Sequence, residues 1–395
     1  MGVPDNSYPC TGHGFHTEIQ LKKPYSCPLT LIELLCLRRW EEYPTTGMIS
    51  MTELESIHPA EAFEIYLDER RAEVTPNTLQ AHKYRIGHFL RWCEEEGITN
   101  LNTLSGRQLH EYKIWRRKEG NLNAVSVKTQ MDTLRVFIKF CESIDAVASG
   151  LHEKVLSPKL NRGDNQSNDI LTKDVAHELL DYLYRFEYAS FDHVLIRLLW
   201  TTGMRVGAAH ALDVEDYDPD DRYLEVRHRE STPLKNKQEG ERLVALDPET
   251  CEVLDDWIYH QRPDSRDGEG REPLLASVHG RAHKNTLRSI VYRWTRPCVY
   301  TGRCPHGRDL DTCEALNDNK KSASLCPSSV SPHAIRRGSI TYHLTQNVPT
   351  EVVSSRMNVS AKVLDVHYDK RSKETKMEQR RRYLEDHSSR RFRRH

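Results

Sequence analysis

Within 192–202, residues 194–200 are apolar at every position but one, with Val194, Leu195, Ile196, Leu198, Leu199 and Trp200 in close succession. A helix that is apolar all round has no face to give to water, so the rest of its domain must wrap around it. Gly203 stops the run and Arg205 stands just beyond. Such a helix is a rigid support for a functional arginine.

Another arginine has a partner at helical spacing. His333 and Arg336 lie three residues apart, which places an imidazole and a guanidinium on one helix face, within reach of one bound group. The planar guanidinium fork suits a phosphate. Tyr368 follows downstream, and a tyrosine beside such a clamp can serve as a nucleophile. The chain has 17 tyrosines, and His-x-x-Arg also occurs on solvated basic turns, so these residues alone leave both readings open.

Taken together, three segments carry a specific resemblance. TTGMRVGAAHALDVEDYD at 201–218 resembles the first arginine box of the tyrosine recombinases, the phage integrase family, and SPHAIRRGSITYHL at 331–344 resembles the second. VLDVHYDKR at 363–371 resembles the nucleophile box. The likeness covers roughly residues 168 to 385 and extends more weakly back to about residue 57.

The resemblance implies a mainly α fold with a small antiparallel β-sheet. An N-terminal helical core-binding (SAM-like) domain would precede a C-terminal DNA breaking-rejoining catalytic domain. The expected organisation is an extension over 1–56, the core-binding domain over 57–156, a linker over 157–169, the catalytic domain over 170–385 and a basic tail over 386–395. The two domains could then close around a duplex as a clamp. In the family Tyr368 would attack a phosphodiester, Arg205 and Arg336 would hold the non-bridging oxygens, and His333 would assist proton movement. Lys235, or failing it Lys237, would protonate the leaving 5′ oxygen from a β-hairpin turn.

Neither ATP nor a catalytic metal is implied, because the bond energy stays in the phosphotyrosine. Double-stranded DNA is the implied partner, with a homo-tetramer on two sites. Two positions depart from the family pattern. Ala208 stands where an acidic residue usually supports the first arginine, and Val359 stands where a His or Trp usually donates to the phosphate. Valine cannot donate a hydrogen bond, so either Asn358 substitutes or the enzyme works with fewer donors. Competing expectations are a catalytically impaired DNA-binding protein of the same fold and a type IB topoisomerase-like enzyme.

Periodicity supplies the N-terminal helices. Ile86, Phe89, Leu90 and Cys93 make one stripe, and Met131, Leu134, Phe137, Ile138 and Cys141 make another, with further helices over 61–73 and 105–117. Their polar faces carry Lys83, Arg85, Lys128 and Thr129, the candidate phosphate contacts together with Lys237. The run 157–169 is poor in apolar residues and reads as a linker. Helices are expected over 171–186, 249–260 and 285–294, and short strands over 223–227 and 242–246.

The formal net charge is only -1, from 57 Lys and Arg against 58 Asp and Glu, so DNA contacts must come from local clustering. Ten cysteines in 395 residues do not make the dense framework of a secreted disulfide scaffold, which points to a reducing, cytoplasmic setting. The apolar run 28–37 is too short to span a bilayer and reads as a short buried helix. Cys298, Cys304, Cys313 and Cys326, with His306 as a substitute, could bind a structural zinc. Their spacing lacks Cys-x-x-Cys pairs, so free thiols or disulfides remain open, and a zinc-dependent regulator would rest on them alone.

Overall fold

The computed structural model describes residues 54–161, 163–164, 169–317, 322–346, 348–364, 374, 377–378, 380–382 and 384–385. The chain divides into two compact units, Met1–Leu160 and Asn161–His395. The expected helix over 28–37 lies outside the described residues.

Among the described residues four α-helices build the first unit: α1 (Pro59–Glu73), α2 (Pro76–Glu95), α3 (Gly106–Glu119) and α4 (Ala124–Ser143). Each start is set locally. Thr75 caps α2 with Pro76 at its first position, Ser105 and Gln108 form a reciprocal capping box on α3, and Asn123 caps α4. The two stripes face inward as their spacing predicts, with Ile86, Phe89, Cys93, Met131, Leu134, Phe137, Ile138 and Cys141 buried and Leu90 half-buried at the edge of the core. Phe137 is the pivot, packing edge-on against Phe63, Tyr66 and Phe89 at ring separations of 6.0, 5.3 and 6.3 Å. Two buried polar pairs cross this core: the Tyr66 hydroxyl meets His82 Nδ1 at 2.7 Å, and Arg116 Nε donates to Gln130 Oε1 at 2.8 Å.

The second unit runs α5 (Lys173–Phe186), α6 (Phe191–Thr202), α7 (Val206–Ala211), β1 (Tyr217–Asp218), β2 (Tyr223–Val226), β3 (Arg242–Ala245) and α8 (Pro248–Asp256). There follow β4 (Ala276–Ser277), β5 (Gly280–Arg281), α9 (Lys284–Trp294), α10 (Pro297–Thr301), α11 (Pro332–Thr345), α12 (Thr350–Met357) and α13 (Ala361–Val363). Helix α6 is the apolar run of the sequence. Val194, Leu195, Ile196, Leu198, Leu199 and Trp200 are at most 3% exposed, and the surrounding core gathers around them.

Strands β1, β2 and β3 form an antiparallel sheet in that order, with Tyr223 opposite Ala245 and Val226 opposite Arg242. The expected strand pair is therefore a hairpin whose connection carries Lys235 and Lys237. A second, two-stranded sheet of β4 and β5, and the short helix α7, were not expected from the sequence. Helix α8 runs on into a wide turn at Trp257–Gln261, where Trp257 Nε1 donates to Leu274 O at 2.8 Å. Among the described residues no helix is long and apolar enough to cross a membrane.

Candidate active site

The site starts at the end of α6. Gly203 takes φ +58°, the left-handed conformation that ends a helix, and a Cβ there would sit 2.7 Å from Met357 Sδ and 3.0 Å from Ser339 Oγ. Glycine at 203 thus lets α6, α11 and α12 meet. Two residues later Arg205, half-buried, opens α7, its carbonyl accepting from Ala208 N at 2.8 Å and Ala209 N at 3.1 Å.

Arginines hold the far end of α7. Arg281 Nη1 donates to His210 O at 2.8 Å and Leu212 O at 3.1 Å, and Arg229 Nη1 donates to Ala211 O at 3.3 Å. Cations on the last carbonyls of a helix satisfy its unpaired acceptors and oppose its dipole. Carboxylates hold these arginines in turn. Arg281 pairs with Asp213 and, at 2.8 Å, with Asp267, while Arg229 pairs with Asp216 at 2.6 Å. The Asp267 carboxyl is held down to about 2 against the effect of its burial, chiefly by the Arg281 hydrogen bond.

Helix α11 brings the second arginine. Its crossing with α5 and α6 is closed by Gly338, where a Cβ would lie 2.0 Å from Leu171 O, and by Ser339 Oγ donating to Trp200 O at 2.5 Å. Arg336 is 2% exposed and points into the junction. Its Nη1 donates to Gly203 O at 2.6 Å and Met357 O at 2.8 Å, and its Nη2 to Asn358 O at 3.3 Å. One guanidinium therefore ties the end of α6 to the last turn of α12.

His333, one turn earlier, is exposed. Its pKa is pushed down by the protein crowding one side of the ring and then by the charges of Arg336, Arg337 and Arg205. Arg205, His333 and Arg336 thus belong to one electrostatic neighbourhood. A ring kept neutral by such neighbours can accept a proton.

Sequence reading missed Arg242. It lies on β3 beside the same cluster, its Nε donating to Arg356 O at 2.7 Å and its Nη1 to Gly240 O at 2.8 Å. Burial first, then Arg336, Arg205 and Arg356, push its pKa down to about 10. No local signal marked it, because only the fold assigns the two faces of this strand. Arg242 shares a face with buried Val244, while Leu243 between them is 61% exposed.

Lys235 and Lys237 are both exposed on the β2–β3 connection, Lys237 with φ +50° and its N–H on Leu234 O at 3.1 Å. Val359 is buried with Ile340, Leu344, Val353, Met357 and Leu364, so it belongs to the core of this corner. Tyr368 lies outside the described residues.

On the first unit, Lys83 is exposed and Arg85 donates to Thr133 Oγ1 at 3.1 Å. Lys128 pairs with Asp132 at 2.7 Å, and Thr129 Oγ1 turns back to Val125 O at 2.9 Å. Of the four candidate zinc cysteines, Cys298, Cys304 and Cys313 are half-buried and Cys326 is buried, all as free thiols. Burial raises the Cys298 thiol pKa; buried Arg296 lowers it and the other three thiols raise it. Among the described residues no three His, Cys, Asp or Glu side chains stand together as a metal site.

The phage integrase family model matches residues 169–374, and the phage integrase N-terminal SAM-like domain model matches residues 60–143. The chain belongs to the phage integrase family, the tyrosine recombinases. Tyrosine recombinase XerD of Mycobacterium tuberculosis is 24% identical over 308 residues, covering 73% of this chain and 86% of the relative. The Tn1549 transposon integrase, solved in complex with a circular intermediate DNA, superposes with a TM-score of 0.58 at 15% identity, covering 83% of this chain and 100% of that one. A lambda integrase dimer bound to a COC′ core site superposes at 0.53 and 14% identity, covering 82% and 77%.

Proposed function

We propose that this chain is a site-specific DNA recombinase that cuts and rejoins double-stranded DNA through a covalent 3′-phosphotyrosine on Tyr368, in integration, excision or resolution. The observation that carries this reading is that Arg336 bonds Gly203 O, two residues before Arg205, and lies one helical turn from His333, whose pKa the charges of both arginines lower. The DNA-bound state of the Tn1549 and lambda neighbours supports DNA as the substrate.

The Tyr368 oxygen forms a bond to phosphorus as the bond from phosphorus to the 5′ oxygen breaks. The phenol has an ordinary pKa of roughly 10 and gives its proton to His333, which its neighbours hold neutral. Lys235 delivers a proton to the departing 5′ oxygen, with Lys237 as the alternative donor. Arg205 and Arg336 take up the charge on the non-bridging oxygens. A strand's 5′ hydroxyl then reverses these steps, so one ester is exchanged for another and no nucleotide or metal enters the balance. Four copies on two sites complete the exchange.

The test is to incubate the protein with genomic fragments in EDTA without ATP, and to sequence what becomes covalently linked in wild type but not in Tyr368→Phe. Recovery of a defined site supports the proposal. Binding without an adduct overturns it in favour of an impaired DNA-binding protein. Relaxation of supercoils without exchange between paired sites overturns it in favour of a topoisomerase-like enzyme.

A further inference from the structure

We infer that Asn358 is a positioning residue that docks the lysine turn against the arginine cluster, through an amide pair with Asn236. This rests on the proposed strand transfer, in which that turn supplies the leaving-group proton.

Asn358 follows the last residue of α12 with φ 49° and ψ 65°, a left-handed conformation that asparagine tolerates better than most residues. That much a helix cap explains. The side chain goes further: Asn358 Oδ1 accepts from Asn236 Nδ2 at 3.1 Å, across 122 residues of sequence. Asn236 lies between Lys235 and Lys237, in the turn closed by Lys237 N and Leu234 O. The backbone carbonyl of the same Asn358 accepts from Arg336. One residue therefore touches both the arginine and the lysine sides of the proposed chemistry.

A second tie fixes the same two segments at the base of the turn. Arg242 bridges Gly240 O and Arg356 O, so the connection is held to the last turn of α12 at two places. The approach is close, since a Cβ on Gly240 would lie 3.3 Å from Asn358 Nδ2. With the base held by Arg242, the amide pair is left to fix the exposed tip, where the lysines are. Val359 is committed to the core, so the side chain that this corner offers to the site is that of the preceding asparagine.

The experiment uses full-length protein and a nicked duplex built on the site that wild type captures. Single-turnover adduct formation is followed with an ordinary 5′ oxygen and with a 5′-bridging sulfur, which leaves as a thiolate and needs no donated proton. Asn358→Gly keeps the left-handed cap and removes the amide. Asn236→Ala removes the other half.

Each variant is expected to slow the oxygen substrate about tenfold and to leave the sulfur substrate near the wild-type rate. The double variant should be no slower than either single one, because both remove one bond. Equal slowing of both substrates, additive effects, or wild-type rates throughout overturn the inference while leaving the recombinase assignment intact. Failure of wild type to form any adduct overturns both.

Discussion

Gly338→Ala tests whether the crossing of α11 over α5 and α6 is closed by backbone. The added methyl carbon would stand 2.0 Å from Leu171 O and 2.9 Å from Trp200 Cζ3. The first of these is a main-chain oxygen that cannot swing aside, and Leu171 is itself tied to α11 by its N–H on Ala334 O at 3.2 Å. Helix α11 must therefore move by roughly 1 Å, an overpacking that costs about 3 kcal/mol. Alanine's better helix propensity returns about 1 kcal/mol. The net loss of about 2 kcal/mol corresponds to a melting temperature lower by about 4–8 °C for a unit of this size.

Calorimetry of the full chain measures that shift, with Gly87→Ala as the comparison. Gly87 lies within α2 with nothing within 4 Å of an added Cβ, so there the same substitution should stabilise by about 1 kcal/mol. The displacement also draws Arg336 away from Gly203 O, and adduct formation should fall about a hundredfold. Were Gly338→Ala to melt no lower than wild type, the crossing would not be closed in the way described.

Three other changes have definite outcomes. Val359→His should not speed adduct formation and should destabilise by about 1–3 kcal/mol in urea titration, because an imidazole would enter the apolar cluster of Ile340, Val353 and Leu364. Arg281→Met leaves Asp213 and Asp267 short of a buried cation, and should cost about 3–5 kcal/mol by the same measurement. Burial first, and then Arg197, push the pKa of His193 down to about 4, so the folded state holds the ring neutral. Its contribution is complete above about pH 6.5 and is lost as pH falls towards 4; urea titrations at pH 7 and 5 should differ less in His193→Gln than in wild type.

What could be read from the sequence was whatever has a local signature. The nearly continuous apolar run predicted α6, the stripes predicted α2 and α4, and two short strand-like runs separated by a polar segment predicted β2 and β3. Arg205, His333 and Arg336 were legible because each sits in a short motif. Strands β1, β4 and β5 have two residues each, too few for an alternation to register, and α7 is all small or polar residues after Val206. Arg242, Asn236 and the Asp213–Arg281 pair were illegible for another reason. Their meaning lies in partners 114, 122 and 68 positions away, and no window of sequence contains both halves. Asn358 was named from the sequence only as a substitute donor beside Val359; its conformation and its partner come only with the folded corner.

The Arg336 guanidinium is gripped by carbonyls that the ribosome delivers far apart, one 133 residues before it and one 21 residues after. Contacts of such separation form late in folding, because long loops must close before they are rewarded. A growing chain can complete the first unit long before this grip exists. The corner that Arg336 ties would then be among the last parts of the chain to mature.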